Sequence, residues 1–117
     1  SVFGAFIDDK WDITNDHTYN GSYNCFVFKI VTTFMQKNKV KVYRSSALND
    51  YFVVKDENSL TVGEAGSAAI YIDQDMLHGI SNKSKTFNND ILTSNNDGTF
   101  EITNIEVWYP SNQHSNT

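Results

Sequence analysis

The stretch from Gly63 to Trp108 consists of short apolar segments, each closed by glycine, asparagine or aspartate. It opens on a glycine-bracketed turn, Gly63-Glu64-Ala65-Gly66, and continues as an apolar run from Ser67 to Ile72 that stops at Asp73. A polar corner built on Gly79 comes next, then a Thr86-Phe87-Asn88 segment, then an alternating run that closes on Glu106-Val107-Trp108. Glycine adopts backbone angles that other residues resist, so Gly63, Gly66 and Gly79 mark sharp turns. Segments this short hold no helix on their own. A chain punctuated in this way is restricted to strands joined by tight connections.

The upstream half reads the same way. Val2 to Ile7 predicts a strand, and Asp8 to Tyr23 a long polar surface connection anchored in the core by Trp11. From Asn24 to Thr33, Phe26, Phe28 and Ile30 face one way while Val27, Lys29 and Val31 face the other. Apolar residues on both sides predict a strand covered on both faces. Lys39 to Arg44 alternates more cleanly and predicts a half-buried strand. Tyr51 to Val54 fits a short pleated strand, Asp56-Glu57-Asn58 a turn, and Leu60 to Val62 a further extended run. Nothing between residues 24 and 72 shows helical periodicity over a useful length. Asp73 to Leu77 predicts one helical turn capped by Asp73. A last strand is expected from Phe100 to Trp108, interrupted or bulged near Asn104 and ended at Tyr109-Pro110, with Ser111 to Thr117 as a polar tail. The fold class is mainly β, a two-layer antiparallel β-sandwich.

At 117 residues, with 39% hydrophobic and 14% aromatic residues, the chain has a folding composition and the size of one domain. Its net charge of -5 argues against nucleic-acid binding, which calls for a basic footprint. One cysteine, Cys25, makes no internal disulfide and reads as a small buried hydrophobe in a reducing, cytoplasmic setting. No apolar run approaches the roughly 20 residues that span a bilayer, and no signal-peptide pattern opens the chain.

Candidate chemistry is sparse. Asp73-x-Asp75 suggests oxygen ligation, but a calcium loop needs glycine at its sixth position and glutamate at its twelfth, where this chain has His78 and Ser84. No metal site is expected. Asp75, His78 and Ser81 supply the residue types of a hydrolase triad, yet three residues in one corner rarely reach the required geometry, and no Gly-x-Ser-x-Gly elbow is present. The same holds for a phosphate loop, so neither a catalytic group nor a cofactor is predicted. Glu64 reads as a turn residue. Glu106 and Trp108, two apart on a strand, should share a face, with a structural role favoured over a recognition pair. A second functional reading is a small-ligand or carbohydrate-binding sandwich that uses Trp11, Tyr19 and Tyr23; a hydrolase is the third.

Several pieces of the chain, in order, resemble the TLDc domain of oxidation-resistance proteins. They are Phe3-Gly4-Ala5-Phe6 with Trp11, Cys25-Phe26-x-Phe28, Asn49-Asp50-Tyr51-Phe52-Val53, the Gly63 to Gly66 turn, the apolar strand ending in Asp73, and Leu77-x-Gly79-x-Ser81. Lys85-Thr86-Phe87-x-Asn89 and Phe100-x-Ile102 with Ile105-Glu106-Val107-Trp108 complete the match. Asn88-Asn89-Asp90 departs from the family's glycine-containing pattern. The resemblance implies an α+β complete domain with short peripheral helices. Residues 1–109 would form a TLDc-like domain lacking its usual N-terminal portion, and 110–117 a tail. Also implied are a role in oxidative-stress resistance and a protein partner among the subunits of the vacuolar proton-pumping ATPase, whose activity the domain would regulate at the cytosolic face of endomembranes. The missing portion, or another chain, would complete an open sheet. The family motifs make Gly63, Glu64, Gly66, Asp73, Asp75, His78, Gly79, Ser81, Thr86, Phe87, Glu106 and Trp108 the candidate binding residues.

Overall fold

The computed structural model describes residues 2–8, 18–32, 34–35, 37–55 and 59–108. The expectations for Trp11, for the turn at Asp56-Glu57-Asn58 and for Tyr109 onward lie outside the described residues. Among the described residues eight strands follow one another: β1 Val2–Phe6, β2 Phe26–Val31, β3 Lys39–Arg44, β4 Val53–Lys55, β5 Leu60–Val62, β6 Ile70–Ile72, β7 His78–Ile80 and β8 Thr99–Glu101. They form two antiparallel meanders, a three-stranded sheet β1-β2-β3 and a five-stranded sheet β4-β5-β6-β7-β8. Within each sheet, sequence neighbours pair throughout.

One core lies between the sheets. Phe3, Ala5, Val27 and Tyr43 alternate onto one face of the first sheet and meet Val53, Val62, Ile70 and Ile72 of the second. Phe52, Phe87 and Leu92 close its ends, and Phe3 stands edge-on to Phe100 with ring centroids 4.9 Å apart. Burial of these side chains is the principal stabilising term, at about 1.5–3 kcal/mol for each large apolar group. Cys25 sits fully buried beside this core, and its thiol lies 3.1 Å from Asp8 Oδ1, as a donor.

Several expectations are corrected. No helix occurs among the described residues, so the peripheral helices are not seen there. Asp73 to Leu77 is a hairpin connection and not a helical turn: Asp73 N–H donates to His78 C=O at 2.9 Å, and Met76 takes a positive φ of 58° that no helix tolerates. The final strand stops at Glu101: Ile102 N–H still donates to Leu77 C=O at 2.7 Å, in register with the His78–Glu101 pair, and beyond it no strand pairing follows among the described residues. β3 is not half-buried: Val40 and Val42 are 54% and 43% exposed. They register against Ile30 and Phe28, which in turn face Val2 and Gly4. The first sheet therefore carries apolar residues on both faces, and among the described residues only one face is covered.

Candidate functional site

The β5–β6 connection and the Thr86 segment meet at one end of the molecule. Gly63 holds a φ of +104°, and a Cβ there would lie 3.0 Å from Ala69 N, so the predicted glycine turn is required twice over. Thr86 is fully buried beneath it. Its hydroxyl accepts from Glu64 N–H at 3.1 Å and donates to Asn49 Oδ1 at 2.8 Å, while its carbonyl accepts from Ser46 N–H at 2.9 Å. Tyr19 accepts from Ala65 N–H at 2.9 Å. Phe87, also buried, packs against Phe52. Asn89 Oδ1 accepts from Ser84 N–H and Oγ, and its amide donates to Asn82 and Asp90 carbonyls. These bonds satisfy polar groups that burial would otherwise strand. They present the exposed Ala65-Gly66 tip on a rigid base.

A second group lies on the β6–β7 hairpin. Asp73 Oδ1 accepts from Gln74 N–H at 2.8 Å. Asp75 Oδ1 accepts from Leu77 and His78 N–H, and its Oδ2 lies 2.8 Å from His78 Nδ1. The hydrogen bond to the Asp75 carboxylate, and then its charge, raises the His78 pKa. The Asp75 carboxyl is lowered, first by the Leu77 N–H and then by His78. His78, Gly79, Asn95, Thr99, Phe100 and Glu101 line an open cleft of about 510 Å³. Gly79 does not turn the chain, as its spacing suggested. It lies inside β7, where a Cβ would fall 2.2 Å from the Tyr71 carbonyl and 2.4 Å from the Phe100 ring.

The structure separates the triad residue types. Ser81 is fully buried and its Oγ accepts from Leu92 N–H, whereas His78 is exposed and bonded to Asp75. The metal reading fares no better, since the described residues contain no group of three or more His, Cys, Asp or Glu side chains placed to hold an ion. Glu106 and Trp108 share no strand face. Both are exposed, Trp108 at 82%, which overturns the favoured structural role for the pair. Of the sugar-stacking aromatics, Tyr19 is half-buried and tilted against Tyr51, and Tyr23 stands edge-on to Phe52. Gly63, Ser81, Thr86 and Phe87 are thus supports, while Gly66, Asp73, Asp75 and His78 are displayed. Asn49 and Asn89 were legible as motif members but not as hydrogen-bonded bridges, Asn49 half-buried and Asn89 buried. An asparagine beside aromatic residues looks the same whether it turns a loop or ties two together.

Two packed antiparallel sheets with loops tied down by buried side chains define a small β domain whose displayed features are turns. A family model for the TLDc domain matches residues 1–111. Nuclear receptor coactivator 7 of Gallus gallus is 36% identical over 108 residues, covering 92% of this chain and 11% of that protein. Oxidation resistance protein 1 of Bos taurus is 33% identical over the same share of this chain and 11% of its own. The protein of that name from Eremothecium gossypii is 29% identical, again over 92% of this chain but 44% of its own length. The chain belongs to the TLDc family, and it spans less than half of each of these relatives.

Proposed function

We propose that this chain is a non-catalytic TLDc interaction module that serves oxidative-stress resistance by binding a protein partner. The partner we assign is the vacuolar proton-pumping ATPase, whose activity the module regulates from the cytoplasmic side of endomembranes. The reading is carried by similarity over 92% of the chain to proteins named for oxidation resistance. It is supported by displayed turns on buried supports, since rigid scaffolds present binding loops. We also propose that the family's N-terminal portion covers the open face of the first sheet, because β2 is apolar on both sides.

Co-sedimentation of the folded chain with purified vacuolar ATPase, with ATP hydrolysis read in the same tube, tests the assignment. Binding with altered hydrolysis is expected. A well-folded chain that stays in the supernatant, both alone and with the upstream portion restored, would remove the ATPase as its partner.

A further inference from the structure

We propose that Phe34 and Met35, with Lys37 and Lys39, dock this chain on an anionic lipid surface. Phe34 is 100% exposed and Met35 is 86% exposed. Neither gives anything to the core, and a turn between antiparallel strands is ordinarily polar. Two adjacent large apolar side chains held in water at the end of a hairpin are a cost to the isolated domain. Insertion into a lipid interface removes that cost.

Charge points to the same partner. Residues 17–49 contain no Asp or Glu, yet carry five of the chain's nine Lys and Arg residues: Lys29, Lys37, Lys39, Lys41 and Arg44. The fourteen acids and the other four cations lie elsewhere, so a segment of +5 sits in a chain whose remainder is -10. The overall acidity hides a basic hairpin. Lys41 is engaged by Asp90 at 3.5 Å, and Arg44 lies over the Phe26 ring at the far end of the strand. Lys37 and Lys39, both exposed, lie two and four positions after Met35. An apolar pair followed by lysines is the arrangement that an acyl boundary and negative headgroups accept together.

The test is sedimentation of the 117-residue chain with phosphatidylcholine vesicles, with and without phosphatidylserine. Binding is expected to the serine-containing vesicles at about 0.1 M salt and to be lost at about 0.5 M, as screening shortens. Phe34→Ser with Met35→Ser should weaken it about tenfold or more, and so should Lys37→Glu with Lys39→Glu. Circular dichroism should be unchanged in both variants, since these side chains are exposed. A folded chain that ignores serine-containing vesicles would overturn the proposal, as would serine substitutions that leave binding intact. Retention on immobilised poly-L-glutamate without vesicle binding would overturn it in favour of an acidic protein surface.

Discussion

At Gly79 a single hydrogen separates a strand from a collision. The Tyr71 carbonyl that a methyl group would strike belongs to the neighbouring strand, and the Phe100 ring is wedged against Phe3, so neither yields cheaply. Gly79→Ala should therefore destabilise the chain by about 2–3 kcal/mol, read as a lower urea midpoint. The glycine was visible in the sequence, but its reason was not: a close approach between two strands leaves no local mark, whereas a turn glycine has polar neighbours. One residue back, His78 offers a charge test. Its pKa is raised from 6.5, so the Asp75 bond stabilises the turn fully below that ordinary value and fades as pH rises through the raised one. Asp75 is lowered from 3.8, so its contribution is present above that value and is lost as pH falls through the lowered one. An NMR titration should find the His78 midpoint above that of Asp75→Asn. Equal midpoints would mean that the pair does not form in solution.

At the level of elements, the β6–β7 hairpin is built around a residue poorly suited to it. Met76 occupies the left-handed region that such a connection assigns to glycine. Met76→Gly relieves about 1–2 kcal/mol of backbone strain and costs about 0.5–1 in chain entropy. A gain of roughly 0.5–1 kcal/mol in urea denaturation is the expected outcome. Thr86→Val acts in the opposite direction, because it leaves Glu64 N–H without its acceptor while keeping the side-chain shape. A loss of about 1–3 kcal/mol is expected by the same measurement. The strands themselves were readable as short apolar or alternating runs between turn signals, as in β2, β3 and β5. Their ends were less so. Phe100 to Trp108 keeps an alternating pattern past Glu101, but a strand also needs a neighbour to pair with, and alternation carries no record of one. The loop ties through Asn49 and Thr86 join residues far apart in sequence, and periodicity cannot report them.

For the molecule as a whole, the first sheet poses an energetic question. Phe26, Phe28 and Ile30 on β2, with Val40 and Val42 on β3, form a face directed away from the core. The sequence showed that both faces of β2 are apolar, and from this a strand covered on both sides follows; among the described residues only the inner cover is present. A sheet face of this composition gains stability once covered, at about 25 cal/mol for each Å² of apolar surface removed from water. The uncovered chain should therefore bind an apolar dye such as ANS while fully folded, unlike a native protein whose apolar groups are all enclosed. Val40→Thr with Val42→Thr should reduce that fluorescence and leave the urea midpoint nearly unchanged, because both side chains are already in water. Restoring upstream chain that packs on this face should abolish the signal and raise the midpoint together. A native 117-residue monomer that binds no dye would contradict an open face. A dye-silent dimer in sedimentation would show that a second copy provides the missing layer.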